Sequence, residues 1–217
     1  MTRYAIRALI PAVLAAVTLA GCSASSGGGG AATTDTAKNG DSAPAKAVES
    51  GAARKGTTLG APGSACELPV TFDLAEDWKP QAVEVGPGSG PAEPGRQGSA
   101  TMVCEIDAKP AGNIGYLRVW RGEGAGTGPR AALEGFVAGD PNAAKASYTQ
   151  TRAGSVTATE VTYTVTVELL DEQKTERAFA VATPGGPVVV HLGGLDSQEH
   201  REMLPAYELA RKTLQLG

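Results

Sequence analysis

The clearest candidate for covalent chemistry is Cys22, because it ends an N-terminal segment with the properties of an export signal. Arg3 and Arg7 give this segment a positive start, and an apolar run follows over residues 8–19. A run of this length is too short to span a membrane, which takes about 20 apolar residues, but it suits a secretory signal peptide. Small residues at positions 20 and 21 fit a peptidase cleft. The sequence therefore predicts export, with a thiol at the cleavage point that acylation can modify.

The run Leu19-Ala20-Gly21-Cys22 resembles the lipobox of bacterial lipoproteins. The resemblance implies transfer of a diacylglyceryl group to the Cys22 thiol, cleavage after Gly21, and a lipid anchor at the new N-terminus. Two acyl chains hold a protein on a membrane stably, whereas one is marginal. The Ala, Gly, Thr and Val bias is typical of high-GC Gram-positive bacteria, including actinobacteria, where the anchor would lie on the outer face of the cytoplasmic membrane. An ordinary signal peptide with a chance cysteine is the alternative.

Cys66 and Cys104 are the other two of the three cysteines. Export would place them in an oxidising compartment, where cysteines form disulfides. Cys66 precedes one predicted strand and Cys104 lies in another, so neighbouring antiparallel strands would bring the thiols together. A redox-active pair and a metal site are alternatives, but the spacing is not Cys-x-x-Cys and no histidine lies close in sequence. The sequence therefore favours a structural disulfide.

His191 and His200 are the two histidines of the chain. Together with Asp196 or Glu199 they form a conceivable site for one metal ion, since borderline cations accept imidazole and carboxylate ligands. The simpler interpretation is a strand histidine with satisfied hydrogen bonds and a helix histidine in solvent. The sequence therefore predicts no metal and no cofactor.

Motifs for nucleotide binding and for acyl transfer are absent from the sequence. The glycine-rich segment 122–128 matches neither Gly-x-Gly-x-x-Gly nor the P-loop. Ser89 lies between two glycines, but prolines occupy the positions where Gly-x-Ser-x-Gly requires glycine. Acidic neighbours such as Glu76 and Asp77 are more typical of solvated turns than of acid–base pairs. The sequence therefore predicts no catalytic residue and no enzyme.

Tyr116, Arg118 and Trp120 alternate along one side of a predicted strand. If that side of the sheet is covered, these side chains form a second core layer. If it is open, they form an amphipathic platform suited to a partner or a saccharide. The loops 86–99 and 122–128 would then border the platform. Both interpretations are compatible with the sequence.

The chain divides into a signal peptide at 1–21, a lipidated N-terminus with a disordered linker at 22–62, and one domain at 63–217. The linker is rich in small residues and has almost no large apolar side chain, so it cannot bury enough surface to offset its ordering entropy. The domain is long enough to hold one core. Its net charge of about −7 argues against nucleic acid and anionic lipid as partners.

Alternating apolar residues predict an antiparallel sheet in this domain. The strongest signal is at residues 157–169, where one side of the predicted strand is apolar and the other polar. The further predicted strands are residues 68–74, 81–85, 101–108, 114–121, 175–182 and 188–192.

Two helical segments complete the predicted domain. A helix is expected from Pro129 to Val137, with an apolar stripe at helical spacing. A capping box of Asp196 and Glu199 opens a second helix, which Pro205 is expected to divide because proline restricts the residue before it. Consecutive hairpins with few helices favour an α+β fold, in which helices pack on an antiparallel meander sheet.

The order of these elements resembles the PsbP-like α/β/α sandwich, a family that includes LpqN-type lipoproteins of mycobacteria. A strand at residues 70–74 that leads into Trp78, several antiparallel strands and a C-terminal helix carry the resemblance over residues 66–217. The sequence departs from the pattern at Ala75 and Asp77, where such proteins often have Pro and Gly. The resemblance implies binding or scaffolding and supplies no catalytic residue.

The function favoured by the sequence is a lipid-anchored binding or scaffolding domain of the cell envelope. Its ligand would be an envelope protein, a glycan or a small amphiphile. One alternative is a cell-envelope hydrolase that uses carboxylates or histidines brought together by folding, and another is a purely structural component. A Glu–His or Glu–Glu pair in a concave pocket would favour the hydrolase.

Overall fold

A computed structural model of the protein describes residues 51–86, 94–168 and 172–217. The predicted signal peptide, Cys22, most of the predicted linker and Ser89 lie outside these ranges. The described elements, in chain order, are β1 Lys55–Leu59, β2 Val70–Ala75, β3 Lys79–Ala82, β4 Arg96–Gln97, β5 Ala100–Asp107, β6 Gly115–Gly122, α1 Pro129–Ala138, β7 Ala143–Ala153, β8 Val156–Val167, β9 Glu172–Thr183, β10 Gly186–Gly194, α2 Ser197–Thr213 and β11 Gln215–Leu216.

The strands form two antiparallel sheets. The large sheet has eight strands in the order β3-β5-β6-β10-β9-β8-β7, with β4 paired to β5. The small sheet has the order β1-β2-β11. The seven predicted strands appear as β2, β3, β5, β6, β8, β9 and β10, with ends that differ by up to three residues. Mostly antiparallel sheet with two helices confirms the predicted α+β class.

Helices cover both faces of the large sheet. On one face, α2 and the small sheet bury Phe72, Phe179 and Tyr207. On the other face, α1 buries Leu133 and Phe136. Successive residues of a strand point to opposite faces, so a strand in the middle of this sheet needs apolar residues on both sides. We call the two faces the α2 side and the α1 side.

β1 corrects the predicted boundary between linker and domain. Lys55–Leu59 lies within the segment assigned to the linker, but it pairs with β2, and Leu59 is 1 % exposed in the core. The poor apolar content of this segment suggested that it could not order itself. An edge strand, however, gains its backbone hydrogen bonds from its neighbour and needs few buried side chains of its own. The domain therefore begins by Lys55 rather than at residue 63.

β7 was not predicted from the sequence. Ala143–Ala153 pairs with β8 along one edge of the large sheet, and most of its side chains are exposed. A strand with so few buried residues has no apolar alternation for sequence analysis to detect. A register shift at Lys145, whose φ is 55°, interrupts the pairing. Such a bulge, together with lysine, is a common way to protect an exposed strand edge.

α2 is continuous, so the predicted division at Pro205 is wrong. Ser197–Thr213 forms one helix with Pro205 in its interior. An interior proline costs about 3 kcal/mol relative to alanine. Buried residues on both sides of it, Met203 and Tyr207 among them, hold both turns against the large sheet. Arg201 lies four residues earlier and is exposed, so solvent is close to the carbonyl that proline leaves without its helical partner.

The predicted start of α2 is confirmed in part. The Asp196 carboxylate accepts from the backbone N–H groups of Gln198 and Glu199 at 2.7 and 2.8 Å. Glu199 does not return to the cap as a capping box requires. Its carboxylate accepts instead from the backbone N–H of Ile114 at 3.1 Å, which ties α2 to the start of β6.

A bulge in β5 changes the direction of one side chain. Met102, Cys104 and Ile106 are two residues apart along β5, so a regular strand would place them on one face. The register with β6 shifts between Met102 and Cys104, so Met102 packs on the α1 side while Cys104 and Ile106 lie in the α2-side core. A bulge inserts one residue and reverses the alternation, which a pattern of period two cannot anticipate.

Candidate functional site

Tyr163, Glu176 and His191 form a buried polar cluster on the α1 side of the large sheet. The Tyr163 hydroxyl donates to Glu176 Oε2 at 3.1 Å, and His191 Nε2 lies 2.8 Å from the same oxygen. The Tyr163 hydroxyl and His191 Nε2 are 3.1 Å apart. Tyr163 is 1 % exposed, Glu176 6 % and His191 4 %. Three groups able to exchange protons therefore meet inside the fold.

The strand register brings the cluster together. Tyr163 on β8 and Glu176 on β9 are direct cross-strand partners, and His191 extends from β10, the next strand. Lys174 precedes Glu176 by two residues and so faces the same side. Its Nζ lies 2.8 Å from Glu176 Oε1 and donates to the Gly194 carbonyl at 3.0 Å. Each carboxylate oxygen of Glu176 therefore has a partner, as a buried charge requires.

Glu176 is ionised inside the core. Burial alone would raise the pKa of its carboxyl, but contact with His191 and with the Lys174 ammonium outweighs burial and lowers that pKa to about 2. Burial and the neighbouring Glu176 carboxylate raise the pKa of the Tyr163 hydroxyl far above its usual value. The hydroxyl therefore keeps its proton and remains a hydrogen-bond donor at physiological pH.

This cluster is sealed from solvent. The ring of Phe136 on α1 covers His191, with the two ring centroids 5.4 Å apart. A general acid or base must reach the group whose proton it transfers. With exposures of 6 % or less, Glu176 and His191 cannot reach a ligand held at the surface. Glu176 has a partner on each oxygen, but His191 Nδ1 has no hydrogen-bond partner among the described residues, so the prediction of a strand histidine with satisfied hydrogen bonds holds for Nε2 only.

Tyr116, Arg118 and Trp120 do not form one platform. Trp120 is 5 % exposed and packs edge-on against Phe136, with ring centroids 5.3 Å apart, so it belongs to the core beneath α1. Arg118 lies with its guanidinium carbon 4.7 Å from the centre of the Tyr116 ring and pairs with Glu105 at 2.7 Å. The second-layer interpretation describes Trp120, whereas Tyr116 and Arg118 form a half-buried cation–π pair.

Cys66 and Cys104 form the predicted disulfide. Their Cα atoms are 6.0 Å apart, and the two residues are 3 % and 0 % exposed. Cys66 lies between β1 and β2 of the small sheet, and Cys104 lies on β5 of the large sheet. The bond therefore crosses the α2-side core and joins the two sheets covalently.

His200 is buried, which corrects the expectation of a solvated helix histidine. It is 2 % exposed on the face of α2 that carries Met203 and Tyr207. Within the described part of the chain, neither of its ring nitrogens has a hydrogen-bond partner. Burial and the positive charge of Arg177 lower the pKa of His200 to about 4, so the ring is neutral at physiological pH.

The conceivable metal site between the two histidines does not form. His191 contacts α1 and His200 lies on α2, which pack on opposite sides of the large sheet. In the ranges that the structure describes, no three His, Cys, Asp or Glu side chains are placed to hold a metal ion. Residue spacing suggested proximity because the two histidines are close in sequence, but the sheet separates them.

We expect His200→Leu to reduce the loss of stability in acid. A histidine with a folded-state pKa of about 4 and an ordinary value of 6.5 stays neutral in the fold while the unfolded chain takes up a proton. Stability is therefore complete above pH 6.5 and falls between pH 6.5 and 4, by at most about 1.4 kcal/mol per pH unit. Urea unfolding of both proteins between pH 7.5 and about 4 measures the difference between their slopes. Parallel slopes would contradict this assignment.

An open polar cleft of about 820 Å³ lies where β1, β2 and β11 meet the end of α2 and the β7–β8 turn. Asp73 of the middle strand β2 lines the cleft, with Thr58 as its cross-strand partner on β1. The other polar residues that line the cleft are Lys55, Thr71, Ser155, Lys212, Thr213 and Gln215. Three apolar residues, Val156, Leu214 and Leu216, complete the lining together with Gly154.

Asp73 is held in one orientation. Lys55 Nζ lies 2.9 Å from Oδ2, and the Thr58 hydroxyl donates to Oδ1 at 2.7 Å. The backbone N–H of Asp73 donates to Thr213 Oγ1 at 2.9 Å, which ties β2 to the end of α2. Burial would raise the pKa of this carboxyl, but the bonds from Lys55 and Thr58 outweigh it and lower the pKa. Asp73 is therefore ionised at neutral pH.

The β7–β8 turn packs tightly against the end of α2 at the cleft. Gly154 in the β7–β8 turn has φ 53°, and a Cβ there would lie 2.0 Å from the Leu214 carbonyl oxygen. Its N–H donates to the Arg211 carbonyl at 2.8 Å. Only glycine fits this contact, which holds Ser155 against the end of α2. The cleft is therefore formed by the fold before any ligand arrives.

Comparison with known proteins adds a family to this geometry. The model of a family described as uncharacterised lipoprotein matches residues 35–214, which include both helices and every strand given above except β11. The chain belongs to this lipoprotein family. No curated protein matches it. In the described part of the lipoprotein, neither helix is long and apolar enough to cross a membrane.

Sequence reasoning missed both the buried cluster and the cleft of this lipoprotein. The predicted strand began at residue 175, which left Lys174 outside it, whereas in β9 Lys174 and Glu176 share a strand face with the buried Ala178 and Ala180. Two charges on an otherwise apolar face were the signal that could have found them. The cleft was harder to predict, because Lys55 and its neighbours were assigned to the linker.

Proposed function

We propose that this lipoprotein is a binding module of the cell envelope, anchored through lipid on Cys22 to the outer face of the cytoplasmic membrane, whose ligand occupies the Asp73 cleft. The observation that carries the proposal is the cleft, which is open, about 820 Å³ in volume, and built around an ionised and fixed carboxylate. Sites for small organic ligands span about 300–1,000 Å³ and combine a preformed cavity with a few oriented polar groups.

The position of the cleft supports a role close to the membrane. Lys55, the first residue of β1, lines the cleft, so the chain from Cys22 enters the domain beside it. The intervening residues 23–50 are rich in Gly, Ala, Ser and Thr. A flexible chain of that length has a root-mean-square reach of roughly 30 Å. The domain would thus sample ligands within the layer just outside the membrane.

A cell-envelope hydrolase is the alternative, and Glu176 with His191 is the pair that it would use. Against it, this pair lies beneath Phe136 rather than in a concave pocket. In the open cleft, the titratable side chain bonded to Asp73 is Lys55, and the two form an ion pair. We therefore propose binding or scaffolding without catalysis. A purely structural component, the third alternative, would have no ligand that depends on Asp73, and the experiment in the next subsection tests that point.

We expect Cys22→Ala to abolish lipidation. The wild-type protein should incorporate a labelled fatty acid and partition into the detergent-rich phase of a cloud-point extraction. Each buried methylene contributes about 0.8 kcal/mol, so the loss of two acyl chains removes a large membrane affinity. The variant should carry no label, and its intact mass should lack the acyl chains.

The matched control for this experiment is the double variant Cys66→Ala/Cys104→Ala, which removes two cysteines elsewhere and should keep the label. Label that persists on the Cys22→Ala chain, or a wild-type protein without acyl mass, would refute the anchor. The binding part of the proposal is tested separately through Asp73.

A further inference from the structure

We infer that the ligand of the Asp73 cleft is a hydroxyl-rich sugar chain. This inference rests on the proposed function and adds the chemical class of the ligand. The groups that line the cleft are a mixture of hydrogen-bond donors and acceptors. Hydroxyls on Thr71 and Ser155 both donate and accept, the ammonium groups donate, and Asp73 accepts. Sugar hydroxyls also donate and accept, so each of these groups can find a partner on one ligand.

Other ligand classes fit this lining less well. An anion would meet the Asp73 carboxylate, and a cation would meet the ammonium groups of Lys55 and Lys212. An acyl chain would displace water from several hydroxyl and charged groups and return no hydrogen bonds, at a cost of about 1–3 kcal/mol for each group left without a partner. The mixture therefore selects against lipid and against simple ions.

Asp73 is suited to a pair of neighbouring sugar hydroxyls. Each of its oxygens already accepts one bond, from Lys55 and from Thr58, and a carboxylate has about four acceptor positions. One position on each oxygen remains for a ligand. Hydrogen bonds to an ionised acceptor are roughly twice as strong as neutral ones. Because the carboxylate is already fixed and 9 % exposed, little side-chain entropy is lost when ligand binds.

The rim of the cleft offers an apolar contact of the kind that a sugar ring uses. Leu216 is 47 % exposed, one of three large apolar side chains with high exposure in the described residues, and half-buried Val156 lies on the same cleft. A pyranose ring carries C–H groups on its faces and hydroxyls around its edge. Leu216 pairs with the core residue Val70, and Val156 packs against the same core, so both lie on the core side of their strands and a C–H face would contact them at the edge of the cleft while hydroxyls reach Asp73 on the outer side. Because the cleft is open to solvent, a longer sugar chain can extend out of it.

The test uses the full lipidated protein in a detergent without a sugar headgroup. The probe is envelope polysaccharide from the producing cells, freed of protein by protease digestion and of lipid by extraction. Co-sedimentation should show saturable binding of wild-type protein, and prior periodate oxidation of the polysaccharide should reduce it. We expect Asp73→Asn to weaken binding at least tenfold and Leu216→Ala to weaken it several-fold. Asp77→Asn, an exposed aspartate outside this cleft, is the matched control and should bind as wild type.

The outcomes separate the ligand class from the proposed function. Polysaccharide binding that is equal in wild type and Asp73→Asn, or that is absent, overturns the sugar ligand. If wild type but not Asp73→Asn then retains a protease-sensitive component from untreated envelope extract, the binding function stands with another ligand. If no component depends on Asp73, the proposed function fails as well. Thermal unfolding checks that Asp73→Asn is folded, and Thr71→Val replaces it if it is not.

Discussion

Replacement of Glu176 by alanine is expected to lower the free energy of unfolding by about 3–5 kcal/mol, the range for removing one partner of a buried ion pair. The carboxylate is 6 % exposed and accepts from Tyr163, His191 and Lys174. Alanine removes all three contacts at once and leaves the Lys174 charge without its counter-ion. Urea unfolding at pH 7, followed by circular dichroism, measures the loss.

Two further variants test whether the loss of stability comes from the buried contacts and charge of Glu176. Glu172→Ala is the matched control, because Glu172 lies on the same strand and is exposed, so the same substitution should change stability by less than about 0.5 kcal/mol. Glu176→Gln keeps the shape and an acceptor oxygen but removes the charge, and its loss should fall between those of the two alanine variants. Equal stabilities of Glu176→Ala and Glu172→Ala would show that the cluster contributes nothing to the fold.

The Glu176 carboxylate should also make the stability of the fold depend on pH in acid. Its pKa is about 2 in the fold against an ordinary value of 4.5, because contact with His191 and Lys174 outweighs burial. The stability that it contributes is therefore complete above pH 4.5 and is lost as pH falls from 4.5 toward 2. Glu176→Gln should flatten that part of the curve. The His200 effect falls between pH 6.5 and 4, so the two groups act in different windows.

Much of the fold could be predicted because the sidedness of a strand is a local property. The alternation over residues 157–169 needs no knowledge of the partner strands, and the structure has β8 at Val156–Val167. The helix at Pro129 begins where proline and an apolar stripe indicate it. The disulfide could be predicted from the cysteine count once export was inferred, because two thiols remained for one bond.

The candidate sites could not be predicted, because they depend on the register between strands. Tyr163 and Glu176 oppose each other because β8 and β9 pair with one register, and a shift of one residue would turn Glu176 away from Tyr163. Asp73 meets Lys55 through a strand that has almost no pattern of its own. The alternation of apolar residues predicts which face of the sheet a residue points to, but it does not predict which residue lies opposite on the next strand. The contacts of Glu176 and Asp73 follow from the strand pairing, which only the structure shows.

The disulfide should be the other large contributor to stability. The substitution Cys66→Ala/Cys104→Ala is expected to lower the free energy of unfolding by about 4 kcal/mol, because the bond joins residues 38 positions apart in sequence and so restricts the unfolded chain. Both residues are 3 % exposed or less, and loss of their packing adds to the effect. With a urea dependence of about 2 kcal/mol per molar, the unfolding midpoint should fall by roughly 2 M.

Reduction provides an independent test of the same bond. In a background with Cys22→Ala, the two remaining cysteines are Cys66 and Cys104, so a reductant acts on this bond alone. Reductant should lower the unfolding midpoint of that protein by an amount close to the effect of the double alanine variant, and it should leave the variant itself unchanged. The bond joins the small sheet, which carries Asp73, to β5 of the large sheet. An unchanged midpoint after complete reduction would mean that the buried core alone holds these sheets together, and that the disulfide adds no measurable stability.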